Sequence, residues 1–236
     1  MIFDPPLQAV RFVRRYQRFF AECVDADGQV LLAHCANTGR MTGLLTPGAE
    51  AWIRQQPPGR KLTHAWELVN TETGLACVNT ARANSLLAES HPLEGWGSVV
   101  SVRREPRVGA HRFDLAYRLD SGKEALLEVK TVTWADEGVG YFPDAPSARA
   151  TAHLRLLTAL AREGSPVGVV FVAMHTGIRE IRPAVSIDPV FAGACAEAAS
   201  AGVRFEGRAV EITPQALRLG GPLPVHVQSP DSQYPV

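Results

Sequence analysis

The run "PVGVVFVAMH", residues 166–175, admits few folds. It is apolar without alternation, so a strand built from it must be covered on both faces. That cover comes from helices on either side of a mostly parallel sheet. The flanking sequence supplies them. "SARATAHLRLLTALAREG" puts Leu154, Leu157 and Ala161 on one helical stripe, with Leu160 beside it and Gly164 as the stop. "DPVFAGACAEAASAG" predicts a second helix, with Asp188 as N-cap and Pro189 at its first position. "VRFEGRAVEI" then returns as a strand, and the Pro-rich tail "GGPLPVHVQSPDSQYPV" is expected to fray at its end.

The N-terminal part follows a different rule. "RFFAECVD" and "QVLLAHCAN" flank the turn "ADG", and "THAWELVNTETGLACVNT" folds back around "TETG". "TPG" and "QQPPGRK" punctuate between them. Short strands packed this densely predict an OB-like barrel of five strands. The fold class is therefore mixed: an all-β OB-like barrel over residues 1–82, then an α/β domain over residues 83–236. "ARANSLLAES" is a helix between them, ended by "HPLEGWG".

Charge narrows the function. Lys plus Arg is 24 and Asp plus Glu is 24, so a strongly basic nucleic-acid binder is excluded and any DNA contact must use a local patch. The cysteines, at 23, 35, 77 and 195, form no C-x-x-C pair, which excludes a zinc ribbon and a redox motif. The N-terminus lacks the pattern of a secretory signal, and no apolar run is long enough to span a membrane. A cytoplasmic protein with reduced thiols is expected.

One strand carries charges that its surroundings do not explain. "ALLEVKTVT" places Glu128 and Lys130 on one face among apolar neighbours. The preceding segment "HRFDLAYRL" alternates, with Arg112, Asp114, Ala116 and Arg118 on one side. A three-residue turn, Asp120-Ser121-Gly122, puts Leu119 opposite Lys123 and therefore Asp114 opposite Glu128. Opposed residues have Cβ atoms about 4.5–5.5 Å apart, so the carboxylates repel unless one keeps its proton or a cation sits between them. Hard oxygen donors favour Mg²⁺ or Mn²⁺, with the Val129 carbonyl as a further ligand. Lys130 would orient water or offset charge on a phosphorane, the chemistry of the PD-(D/E)XK nucleases. The spacing alone arises often by chance, and the bland alternative is a solvated face with a weak Glu–Lys pair.

The chain as a whole resembles the sugar fermentation stimulation protein family. The stretches that carry this are "FDPPLQ", "VRRYQRFFAE", "HCANTGRMTG", "THAWELV", "CVNTARAN", "RFDLAYRL", "EVKTVT" and "GYFPDAPSARATAHLRLL". The resemblance implies an OB-like domain followed by a PD-(D/E)XK nuclease-like domain, DNA binding, and a role in regulating sugar catabolism. It also implies an acidic cluster at Glu105, Asp114 and Glu128 with Lys130 beside it.

Three further stretches suit DNA. In "VRRYQRFF", Arg14, Arg15, Tyr16 and Arg18 combine charge with stacking surface, as single-strand binders do; the alternative is a barrel strand with one solvated face. In "HCANTGRMTG", Asn37 and Arg40 either bind or serve the turns. In "GYFPDAPSARATAHL", Tyr141, Asp144 and Arg149 are placed to meet a phosphate, with His153 one turn on, against a plain loop and capped helix. Expected partners are DNA, single strands included, and a second copy of the chain; no membrane is expected. Two functions compete: a Mg²⁺-dependent phosphodiesterase, and a non-catalytic DNA-binding regulator of sugar (maltose-type) metabolism. A small-molecule enzyme using an interdomain cleft is a third.

Overall fold

The computed structural model describes residues 1–90, 95–109 and 111–227. Its first sheet contains β1 (Gln8–Tyr16), β2 (Phe20–Val24), β3 (Val30–His34), β4 (Glu50–Gln55), β5 (His64–Thr71) and β6 (Gly74–Cys77), ordered β3-β2-β1-β4-β5-β6. A short parallel contact, Ala33 with His64 and His34 with Ala65, joins β3 to β5 and closes the sheet on itself. Closure leaves an interior lined by alternate residues. Phe12 and Trp66 stack there, ring centres 4.8 Å apart. This is the expected OB-like barrel, with six strands rather than five, and both hairpins lie where the turn residues put them.

The second part runs α1 (Ala81–Ser90), β7 (Val99–Arg104), β8 (Arg107–Val108), β9 (His111–Arg112), β10 (Leu115–Leu119), β11 (Glu124–Val132), β12 (Trp134–Asp136), β13 (Val139–Phe142), α2 (Ala148–Arg162), β14 (Val167–Ala173), β15 (Glu180–Pro183), α3 (Pro189–Ser200), β16 (Arg204–Ile212) and β17 (Leu217–Leu223). The main sheet is ordered β17-β16-β14-β11-β10-β7, with β11, β14 and β16 parallel. Strand β14 is buried at every residue, because it has cover on both faces. Val169 and Phe171 pack with α2 and α3; Val170 and Val172 face the other way, towards α1. Ser147 caps α2, and Asp188 caps α3 with Pro189 behind it.

Three details differ from the sequence reading. "HRFDLAYRL" is not one strand: it breaks at Phe113 and Asp114 into β9 and β10. A small sheet, β12-β13-β15, joins segments far apart in the chain, which local pattern does not reveal. The tail stays in β17 through Leu223, as an edge strand that tolerates Pro222. The expected frayed end, residues 228–236, and residues 91–94 of the linker lie outside the described residues.

The two parts are hydrogen-bonded to each other. Cys77 N–H donates to the Met174 carbonyl at 2.9 Å, and Thr176 N–H to Leu75 at 3.0 Å, so β6 continues onto the end of β14. The chain start pairs with the edge of the second sheet, where Phe3 N–H reaches Gln215 O at 3.0 Å. Glu67, fully buried on β5, takes Arg54 at 2.9 Å and Arg82 of α1 at 2.6 Å. A buried carboxylate persists only when so satisfied.

His175 sits in this junction, 3% exposed. Gly177 N–H donates to its Nδ1 at 2.9 Å, so the proton rests on Nε2, which faces Thr71 Oγ1 at 3.0 Å. Burial lowers its pKa to about 4. A second proton would displace the Gly177 bond. The folded pKa lies below the unfolded one, so the stability it contributes is present above about pH 6.5 and is lost as pH falls towards 4. The expected outcome is that wild type loses on the order of 1–2 kcal/mol more than His175→Asn across that window, read by urea melts at each pH. Parallel pH profiles would refute it.

Candidate metal centre and interdomain cleft

The hairpin of β10 and β11 pairs Leu115 with Leu127 and Arg118 with Glu124. Its turn spans three residues, closed by Leu119 N–H to Lys123 O at 2.9 Å. Continued by one step, this register sets Asp114 against Glu128. The ladder does not continue, because the chain bends at Asp114. Asp114 N–H still reaches Leu127 O at 3.2 Å. The next ladder bond is made by the side chain: Val129 N–H donates to Asp114 Oδ2 at 2.8 Å. Phe113 consequently packs with Ala116 and Leu126, which breaks the strict alternation expected of "HRFDLAYRL".

The second oxygen of Asp114, Oδ1, accepts from Asn84 Nδ2 of α1 at 2.9 Å. Burial first, and then the charge of Glu128, raise the Asp114 pKa; Val129 N–H, Asn84 and Lys130 oppose this. Glu128 is 5% exposed. Its Oε1 accepts from Lys130 Nζ and from His153 Nδ1, both at 2.6 Å. Its Oε2 is buried and has no hydrogen-bond partner among the described residues. Within a strand the N–H and C=O of one residue point to the same side. The Val129 carbonyl therefore faces the gap that β10 has left. Glu105 lies apart: its N–H bonds the Asp114 carbonyl at 2.9 Å, but its φ is +52° and its exposed carboxylate takes Arg112 at 3.3 Å. Among the described residues, no three His, Cys, Asp or Glu side chains converge as a metal cage.

A cavity of about 720 Å³ lies between the barrel and the C-terminal end of β11, with the segment from Tyr141 to Ser147 beside it. Val129 and Lys130 line one wall and Arg18 and Arg40 the other. Among the described residues neither arginine forms an ion pair, and Arg18 holds a left-handed φ of +63° at the β1–β2 turn. Arg15 is spent within the fold, its guanidinium donating to the carbonyls of Arg18, Asn37 and Gly39 at 2.7–3.0 Å. Asn37 is buried and accepts Gly39 N–H at 2.8 Å. Asp144 reaches across the domains to accept Met41 N–H at 2.7 Å. A Cβ on Gly39 would meet the Asp144 carboxylate at 2.7 Å, so a larger residue there would push the carboxylate from its place. Tyr141 lines the cleft and tilts against Trp134.

The other expected contacts lie outside the cavity lining. Arg14 pairs with Glu22 at 2.8 Å and lies over Tyr16, which stacks on Phe20 at 5.4 Å. Arg149 is exposed on the first turn of α2. His153 turns inward to Glu128. Asn84 was not anticipated; its only local signal is its place in "CVNTARAN". The cysteines are buried and unpaired, and burial pushes the thiols of Cys23, Cys77 and Cys195 up to about 12.

Comparison with known proteins agrees along nearly the whole chain. Residues 13–78 match the SfsA N-terminal OB domain, and residues 78–216 match the sugar fermentation stimulation protein RE domain. A sugar fermentation stimulation protein homolog of Pseudomonas paraeruginosa is 42% identical over 235 residues, covering 96% of this chain and all of that protein. The homolog of Pseudomonas syringae pv. tomato is 40% identical over 237 residues, covering 96% and 99%. Among solved structures, that of Pyrococcus furiosus SfsA in complex with Ca²⁺ superposes with a TM-score of 0.85 at 26% identity, covering 96% of this chain and 98% of that one. The second domain thus has the PD-(D/E)XK-like fold of these relatives.

Removing the Asp144 clasp should loosen the cleft wall without unfolding either domain. Asp144→Ala is expected to speed amide exchange at Met41 by roughly ten-fold or more, as befits loss of a charge-assisted bond of about 1.5–3 kcal/mol, while amides of β14 stay protected. Unchanged exchange at Met41 would refute the clasp.

Proposed function

The chain belongs to the sugar fermentation stimulation protein family, and from that premise we propose that it binds DNA and carries a divalent-cation-dependent phosphodiesterase site in its interdomain cleft. The observation that carries this reading is the orphaned Glu128 Oε2 beside the Asp114 carboxylate. A buried carboxylate oxygen without a partner is costly, and a cation removes the cost. Asp114, Glu128 and the Val129 carbonyl form an all-oxygen donor set, which suits Mg²⁺ or Mn²⁺. Mg²⁺ keeps several waters, so so small a set suffices. The Ca²⁺ in the Pyrococcus relative supports a divalent ion as the ligand class.

When bound, the cation supplies polarisation of a phosphate oxygen and a more acidic water. The chain's own groups do the rest. Val129 N–H and Asn84 fix the Asp114 carboxylate. Lys130 sits between Glu128 and the cavity, placed to orient the attacking water and offset charge on the phosphorane. Arg18 and Arg40 offer cationic groups to the DNA backbone on the opposite wall, the local patch that a chain of zero net charge requires. The non-catalytic regulator remains a second reading, favoured by Glu105 standing outside the acidic pair.

Plasmid and single-stranded DNA incubated with Mg²⁺, Mn²⁺ or EDTA separate the two. Metal-dependent cutting that falls by roughly 10²-fold or more in Asp114→Ala and Lys130→Ala is expected. Salt-sensitive binding without cutting, indifferent to both changes, would establish the regulator instead.

A further inference from the structure

Glu128 faces two demands in that reading. One oxygen must stay aimed at the cation, yet its side chain ends in a broad, roughly two-fold torsion that does not hold either oxygen in place. Lys130 Nζ holds Oε1 at 2.6 Å, but Lys130 also lines the cavity and is the ammonium that substrate would draw away. A carboxylate held by Lys130 alone would lose its orientation when the phosphate arrives.

His153 removes the conflict. Its Nδ1 lies 2.6 Å from the same Oε1, and since a carboxylate accepts, Nδ1 carries the proton. The ring stands on α2, whose Leu154 and Leu157 are fixed in the core, and it leans on buried Phe113 with ring centres 6.4 Å apart. Its side chain is 13% exposed and is not part of the cavity wall. It is therefore placed behind Glu128, away from where DNA would lie. We infer that His153 is the positioning residue that holds Oε1 of Glu128, keeping Oε2 turned to the cation and releasing Lys130 for substrate. This rests on the metal reading given above. Groups that orient a metal's ligands are typically worth about 10–100-fold in affinity.

Two variants of similar polarity isolate the geometry. In His153→Asn the amide nitrogen falls near the former Nδ1; in His153→Gln it falls near the former Nε2, away from Oε1. Mn²⁺ affinity is read by electron paramagnetic resonance on the full chain, with Asp114→Ala as control and circular dichroism melts to confirm folding. The expected result is that His153→Asn binds Mn²⁺ within a few-fold of wild type while His153→Gln binds about 10–100-fold more weakly. DNA retention in EDTA should be unchanged in both. Equal Mn²⁺ affinity of the two variants overturns the inference, as does a His153→Gln that keeps its Mn²⁺ but loses DNA. If wild type takes up no Mn²⁺, or Asp114→Ala binds as well as wild type, the metal reading itself fails and the role of His153 falls with it.

Discussion

One hydrogen bond organises the candidate site of this protein: Val129 N–H to the carboxylate of Asp114. An antiparallel ladder would fill that donor with a main-chain carbonyl. A side chain fills it instead, so the strand can leave the sheet without orphaning a buried amide. Several consequences follow from this substitution. The chain bends and Phe113 swings into the core beside α2. The Val129 carbonyl is left on the side of the strand that β10 has vacated. The Asp114 carboxylate is drawn into the sheet beside Glu128, where burial and a like charge raise its pKa. Two acidic groups in so poor a dielectric mark a place where a cation is favourable.

The second constraint is the rigidity of the domain junction. A cleft between two bodies on a flexible linker has no fixed shape. Here the barrel and the second sheet share main-chain hydrogen bonds through β6 and residues 174–176, a buried Glu67 between two arginines, and a pairing of the chain start with β17. Asp144 adds a clasp on the cleft itself. The barrel loop at residues 37–41 is thereby held over the strand that carries Lys130, and the arginines of one wall face the ammonium of the other.

Much of the fold was legible because its signals are local. The unbroken apolar run of β14, the capped helices, the hairpin turns and the three-residue turn before Lys123 each depend on neighbours in sequence. The bend at Asp114 was not legible. Alternation in "HRFDLAYRL" continues smoothly through it, and only the absent ladder bond betrays it. Arginine roles divide on the same ground. Arg15 and Arg18 look alike in "VRRYQRFF" and both line the cleft, yet the guanidinium of Arg15 is engaged by three carbonyls while Arg18 forms no ion pair among the described residues. His153 reads as a DNA contact or as part of a plain capped helix, and its bond to Glu128 emerges only once α2 is placed against β11.

By itself the sequence determined the two-part architecture, the order of its principal helices and strands, and the presence of an acidic pair with a lysine beside it. Periodicity, caps and turns act over a few residues and need no knowledge of the rest. Only the tertiary structure decided which charged groups meet. Glu105 points to solvent, Asp144 spans the domains, Asn84 holds Asp114, and one oxygen of Glu128 has no partner among the described residues. Those outcomes depend on side-chain direction and on contacts between segments far apart in the chain, which hydrophobic pattern does not encode.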